Sequence, residues 1–453
     1  MDRFLEKFKE KRYAFPLAYA AAFFAVFIMS FSYFLLNHKT IIWNGDGIEQ
    51  HYLGLLYCSR FFKSILKNLI ENHSLVIPMW DMSIGFGADV FTTMHYYGLG
   101  DPFTLLTVIV PEAQMDKFYC ILYFLKLFLA GFGVTIFVRH HGASKTGAII
   151  GALIYSFSTW GIFYCLHQYC FMVPLLWFPY VLSGVDRVLE KKKPYFFILS
   201  LTAAALSNFY FLYMIVVLAI GYAVYRYIWL YRGKGVKEAA FMAGRFILYG
   251  AESMMMAAVI LLPAVMTMTT SSRYSADRYV PILYNLRYYA KYLSAFTGNT
   301  VPTDWTVYGY TPLSVLAVAL LFACRKRFVK TKIAFLVLFA FSLIPFAGFA
   351  LNGFAYVANR WSWCLTLIVS YIIALMLTEF ARFDERQKKI MLIAVIAYGV
   401  LGSITTISRS EQSFALIACL FAEFIIVIVA RESKRNVNMN VLIAFFAVAG
   451  ILI

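Results

Sequence analysis

Trp43-Asn44-Gly45-Asp46-Gly47-Ile48-Glu49-Gln50-His51 is the stretch on which the reading of the chain turns. It follows an apolar run from Phe15 to Leu36, FPLAYAAAFFAVFIMSFSYFLL. Such a run crosses about 30 Å of hydrocarbon as a helix, because a helix satisfies its backbone hydrogen bonds internally. Two carboxylates, an imidazole and two glycines therefore stand where the backbone has just left the apolar phase. What they face decides the chemistry.

Outward from that point, apolar runs of about 20 residues recur along the chain. With 62% hydrophobic residues, 14% charged residues and a mean hydropathy of +0.73, a soluble domain would expose too much apolar surface. The sequence predicts an all-α polytopic membrane protein, one transmembrane domain over residues 1–453. Its start is basic (Arg3, Lys7, Lys9, Lys11, Arg12), but a signal peptide would have a shorter apolar core ending in a small-residue cleavage site. The first run is read as a retained anchor with a cytoplasmic N-terminus. The net charge of +17 does not point to nucleic acid. Of the 40 Lys and Arg, 28 fall on one side when the spans alternate, in clusters such as Arg187–Lys193, Arg325–Lys332 and Arg382–Lys389, which is a positive-inside distribution. Of the seven cysteines, Cys165 and Cys170 lie near each other, and packing explains them better than a disulfide.

About thirteen spans are expected, with two large outer loops, residues 37–103 and 269–311. In the first, Ile48 to Ile70 places Leu55, Phe62, Leu66 and Leu69 against Arg60, Lys63, Ser64, Lys67 and Glu71, the pattern of an amphipathic helix on the membrane surface. Ile77 to Pro102, rich in glycine, aromatics and acids, reads as a folded cap. Pro194 to Leu230 is too long for one span and basic at both ends, so two short helices are expected to meet near Ser207-Asn208. Single spans are expected over Thr146–Phe163, Ala240–Met266 and Ile333–Ala350. The chain stops on an apolar run, Val441–Ile453. An outer C-terminal domain is expected to be missing or supplied by a second polypeptide.

Asp46 and Glu49 share a face if their run is helical, and the flanking glycines let the backbone bring Asp46 close to a ligand. A partly desolvated carboxylate has the raised proton affinity that a general base needs. The plainer alternative is a helix cap, although Asp-x-x-Glu matches the capping-box spacing only loosely. Asp101, before Pro102, is open to the same two readings. Gln50, His51, His95, Tyr96, Tyr97, His167 and Asn359 are candidates to position an acceptor. Arg360, flanked by Asn359 and Trp361 at the outer end of a span, is suited to grip a phosphate, or to anchor the helix at the interface. Arg273, Arg278, Arg287 and Lys291 in the second outer loop would add to an anion site or form a solvated face. No Walker, GxGxxG, HExxH or paired CxxC pattern occurs. No cofactor and no metal site is assigned, and a divalent ion is left open.

Asn44-Gly45-Asp46-Gly47 with Gln50-His51-Tyr52, the stretch from Trp80 to Gly100-Asp101-Pro102-Phe103, and Asn359-Arg360-Trp361-Ser362 resemble the bacterial YfhO family, in order from the first span to the last. That family is similar in topology to the GT-C glycosyltransferases, integral membrane enzymes that use polyprenyl-phosphate sugars outside the membrane and carry an acid in the first outer loop. The resemblance implies a GT-C-like fold in the bacterial plasma membrane, an extracytoplasmic active site with Asp46 as its acid, and glycosylation of cell-envelope polymers such as teichoic acids. In that scheme Asp46 takes the acceptor's proton, Glu49, His51 and Asp101 position the acceptor or tune Asp46, and Arg360 with the second-loop cations holds the donor phosphate.

A transporter or flippase of lipid or oligosaccharide is the rival. It predicts acids and bases at mid-bilayer and broken helices. The spans hold few charges, Lys126, Glu252 and Glu423 among them, and no internal repeat is evident. The charges gather in outer loops instead, which favours an enzyme. A scaffold for envelope assembly is a third reading.

Overall fold

A computed structural model describes residues 13–269, 279–294, 306, 309–405 and 411–432. α1 (Ala14–Ser30) is the first apolar run, continued by one turn at Ser32–Leu36. A π-turn over Gly47–Tyr52 feeds α2 (Leu53–Glu71). β1 (Trp80–Asp81) and β2 (Ala88–Asp89) pair antiparallel, Trp80 opposite Asp89. α3 (Val90–Met94) follows, capped by the Asp89 side chain on Thr92 N at 2.8 Å. Beyond it run α4 (Met115–His140), α5 (Lys145–Ser156), α6 (Met172–Leu189), α7 (Tyr195–Ser207), α8 (Phe209–Leu230), α9 (Val236–Met256), α10 (Ala258–Thr269), α11 (Leu286–Ser294), α12 (Leu313–Ala323), α13 (Val329–Ser342), α14 (Pro345–Leu351), α15 (Trp363–Glu379), α16 (Glu385–Thr405) and α17 (Glu411–Glu432).

Three segments are long and apolar enough to cross a membrane, Glu112–His140, Tyr169–Leu189 and Phe209–Leu230. The number rises to six if three bent pairs each count as one span: Lys145–Ser156 with Trp160–His167 (43°), Val236–Met256 with Ala258–Thr267 (92°), and Val329–Ser342 with Pro345–Leu351 (92°). All three were expected as single runs. The last bend has a local cause, since Ile344 is extended and Pro345 opens α14, and proline cannot donate to a continuing helix. Thirteen crossings remain an expectation, because further apolar helices such as Tyr195–Ser207 and Leu313–Ala323 are short and 441–453 lie outside the described residues. Two helices meet at Ser207-Asn208, as expected. Asn208 is extended, and its side chain caps α8 by accepting from Tyr210 N at 2.9 Å and Phe211 N at 3.1 Å.

The chain forms two compact units. One draws on residues up to Lys39, Ala130–Ile162 and Tyr279 onward; the other comprises Thr40–Leu129 and Phe163–Arg278. In the first, α5 lies against α15 at backbone distance, and a Cβ on Gly147 would stand 2.3 Å from Ala374 O. Glycine is what permits that approach. In the second, Asp186 of α6 accepts from Arg226 Nε at 2.7 Å and from Tyr222 OH at 2.8 Å, both on α8. The cap predicted over Ile77–Pro102 is folded: Cys58 and Phe61 of α2 form one buried cluster with Val90, Phe91, Met94 and Leu99. α2 thus buries Leu55, Cys58 and Phe61 into its own unit, while Leu66 and Leu69 of the expected apolar stripe stay exposed.

Candidate active site

The site begins where the chain turns through Gly45, whose φ of +121° favours glycine. Asp46 then opens the π-turn without capping it, for its side chain takes no backbone N–H. Its carboxylate is instead held by two amides. Gln50, four residues on, donates Nε2 to Oδ1 at 2.6 Å, and Gln168, from the unit's second segment of chain, donates Nε2 to Oδ2. Each amide is oriented in turn. Tyr97 OH donates to Gln50 Oε1 at 3.2 Å, and His51 Nε2 lies 2.8 Å from Gln168 Oε1. Burial lowers the proton affinity of His51 below that of an ordinary imidazole, so near neutrality the ring is uncharged and its Nε2–H donates. Every donor in this chain of bonds points toward Asp46. The carboxylate is half-buried and uses one acceptor position per oxygen, leaving lone pairs for a ligand hydroxyl.

Beside it, the Trp43 ring lies tilted against His167 with centroids 3.7 Å apart, and His167 Nδ1 donates to Phe163 O at 2.6 Å. A Cβ on Gly47 would fall 2.8 Å from Trp43 Cβ, so glycine there lets the indole sit against the turn. Glu49, the second acid of the predicted pair, is exposed and outside this bonded set.

Asp101 is placed differently. Its Oδ2 accepts from Lys126 Nζ at 2.7 Å, with both side chains 97–98% buried, and its Oδ1 accepts from Phe103 N at 2.9 Å. Lys126 Nζ also stands 4.5 Å from the Tyr169 ring centroid, a cation–π contact one residue from Gln168. His95 is buried, and its Nε2 donates to the carbonyls of Ala205 (3.0 Å) and Leu206 (3.1 Å) at the end of α7. Burial pushes it down to about 4. Tyr96 contributes its carbonyl, which accepts from Asn208 Nδ2 at 2.9 Å.

The other unit holds Asn359 and Arg360. Asn359 is fully buried; its Nδ2 faces Tyr284 OH (2.9 Å), Tyr288 OH (3.1 Å) and Thr306 Oγ1 (2.9 Å), and its Oδ1 accepts from Trp361 Nε1 at 3.0 Å. That hub fixes the backbone that presents Arg360, whose guanidinium lies 5.7 Å from the Tyr356 ring centroid. Arg287 is exposed on α11. The backbone of Lys291 is in α11 but its side chain, like Arg273 and Arg278 altogether, lies outside the described residues. Among the described residues, no three His, Cys, Asp or Glu side chains converge as metal ligands.

The family model for the bacterial membrane protein YfhO matches residues 20–453. The chain belongs to the YfhO family. It is 22% identical over 382 residues to an uncharacterized YfhO protein of Bacillus subtilis (strain 168), a match covering 76% of this chain and 39% of that protein. This chain therefore spans about two-fifths of the length of its curated relative. No solved structure matches it.

All the side chains described above fall inside the YfhO match. Two of the most informative were not among the predicted site residues. Gln168 was visible only as a neighbour of His167 in a short turn, and nothing in sequence ties it to Asp46, 122 positions away. Lys126 stands out in sequence as a charge inside a span, a signal that it needs a partner, but any acid could supply one.

Proposed function

We propose that this YfhO-family chain is an integral membrane glycosyltransferase that moves a sugar from a polyprenyl-phosphate-linked donor to an extracytoplasmic cell-envelope acceptor such as teichoic acid. The observation that carries the proposal is the convergence of oriented amide donors on the half-buried Asp46. Donors fix the carboxylate without neutralising it, which suits a group that must accept a proton. In the reaction the acceptor hydroxyl gives its proton to Asp46 as its oxygen bonds the sugar's anomeric carbon; the bond from that carbon to the phosphate oxygen breaks, and the lipid phosphate leaves with the electron pair. Phosphate is a competent leaving group, so one base and a cationic clamp are sufficient chemistry. The clamp is carried over from the family resemblance alone, which points to Arg360 with Arg273, Arg278, Arg287 and Lys291 as auxiliaries. Gln50, His51, Tyr97 and Gln168 hold the base, while Trp43 and His167 border the acceptor's approach.

The test is transfer of labelled sugar from a polyprenyl-phosphate donor by purified protein. Asp46→Asn is expected to lower the rate by roughly 10²–10⁴-fold with unaltered thermal unfolding, whereas full activity would overturn the assignment. A second reading, a transporter or flippase, is favoured by the bent helix pairs and by Glu423, buried in α17 with neither carboxylate oxygen hydrogen-bonded to a described residue. Transfer proceeds in detergent micelles, whereas transport requires a sealed vesicle. Activity that appears only in vesicles and is lost in Glu423→Gln would decide for the transporter.

A further inference from the structure

We propose that the tip of the β1–β2 hairpin is a lipid-inserting wedge that seats the cap on the bilayer surface. Residues 74–88, Ser-Leu-Val-Ile-Pro-Met-Trp-Asp-Met-Ser-Ile-Gly-Phe-Gly-Ala, hold a single charged side chain, Asp81. That charge is turned into the protein, accepting from Tyr57 OH at 2.8 Å and from Ser83 N at 2.8 Å. Three large apolar side chains of the hairpin are exposed instead. Trp80 is 60% exposed, Met82 69%, and Phe86 fully so.

The protrusion is built into the backbone. Gly85 (φ +61°) and Gly87 (φ +106°) supply the left-handed conformations that throw Phe86 outward. A Cβ on Gly87 would stand 2.8 Å from Met82 Sδ and 3.1 Å from the Trp80 ring, so the absence of a side chain lets both pack beside the turn. Trp80 Nε1 faces Met82 Sδ at 3.4 Å. The result is a convex, uncharged knob, and apolar patches that persist on a folded surface mark interaction sites.

The occupant follows from what holds the hairpin from behind. Ile84 packs on the cluster of Phe61, Phe91 and Met94, and Ile260 of α10 packs on the same cluster. α9 exposes Phe241, Ile247 and Leu248 along a helix about 32 Å long, and with α10, though not alone, it is long and apolar enough to cross a membrane. The chain then turns by 92° into α10, which buries Leu261 and Ala264 but exposes Val259, Leu262 and Met266. An apolar helix that forms the second half of such a bent pair, with apolar side chains on its free side, meets lipid at the edge of the membrane. The hairpin, tied to that helix through one shared cluster, stands at the same depth, where tryptophan is favoured. A bilayer, with no need of a shaped pocket for the knob, is the partner that fits.

The experiment places an NBD fluorophore on Phe86→Cys in phosphatidylcholine nanodiscs with and without nitroxide-labelled acyl chains. The seven native cysteines are buried or half-buried, so the new thiol is the reactive one. Blue-shifted emission that the lipid nitroxide quenches is expected at Phe86→Cys, and again at Met82→Cys should the first variant fold poorly. Asn72→Cys, at an exposed polar position off the hairpin, is expected to remain water-like and unquenched. Water-like, unquenched emission at both tip positions would overturn the proposal. So would blue-shifted emission that lipid nitroxide leaves untouched, since that outcome assigns the knob to a protein.

Discussion

Asp46 and Asp101 sit in the same unit, each with both carboxylate oxygens bonded, yet they are built for opposite ends. Asp101 is 2% exposed and bound to a lysine as buried as itself; its charge is cancelled, and the pair joins the cap's base to α4. Asp46 is half-buried and held by neutral amides, so its charge is oriented but not cancelled. A buried ion pair whose partner is lost leaves an uncompensated charge. A carboxylate held by amides loses orientation first. Two acids that in sequence are both open to a capping or a catalytic reading therefore separate into one that anchors and one that is presented.

The largest effect expected from this contrast is on stability at the Asp101 pair. Lys126→Met should destabilise by about 3–5 kcal/mol, read as a fall in the thermal midpoint of the purified protein, and Asp101→Leu added to it should restore much of the loss. Asp46→Asn should barely move the midpoint. If Lys126→Met and Asp46→Asn shift it equally, the distinction between the two acids is lost.

A smaller effect, set by pH, belongs to the side chain that holds the cap to α7. His95 titrates near 6.5 in the unfolded chain but is pushed down to about 4 by burial in the folded one. Between those values the unfolded chain binds a proton that the folded chain refuses, so stability falls as pH drops from about 6.5 to about 4 and this contribution changes no further below that. The size is about 3 kcal/mol across the window. Thermal midpoints of the wild type and His95→Gln, compared over that range, should converge on acidification. Parallel curves would show that His95 does not carry the dependence.

Much of this layout was legible. Pro194–Leu230 was too long for one helix across a membrane, and Asn208 at the division into two helices is a residue that caps helices. The glycine- and aromatic-rich stretch before Asp101 was recognisably folded. The 92° turn after Met256 carried no such mark, since the residues around it, Met254-Met255-Met256-Ala257-Ala258, contain no proline or glycine. α2's periodicity named an apolar stripe but not which part of it would meet the cap. At the site, Asp46 stood out because glycines flank it. The side chains that orient it did not, because hydrogen-bond partners distant in sequence leave no periodic trace, and a glutamine in a turn looks like any other.

The smallest effect tests that orienting set at its periphery. Tyr97 touches Asp46 only through Gln50, by one neutral hydrogen bond of 3.2 Å, and burial holds its phenol protonated well beyond neutral pH. Tyr97→Phe keeps the ring against Gly54, where a Cβ would lie 3.1 Å from Tyr97 Cβ, and removes only the donor that tells Gln50 which way to face. A neutral bond of this kind is worth about 0.5–1.5 kcal/mol, so a loss of up to about tenfold in transfer rate is expected. The midpoint should stay nearly fixed, and the acceptor's KM should change less than kcat. Gln50 can turn over once the phenol no longer holds its carbonyl, presenting an oxygen to Asp46 in place of an amide. Gln50→Glu should then hurt more than Tyr97→Phe, because it makes that repulsion permanent. If Tyr97→Phe is silent and Gln50→Glu is tolerated, the amides do not orient Asp46, and it is no more presented than Asp101.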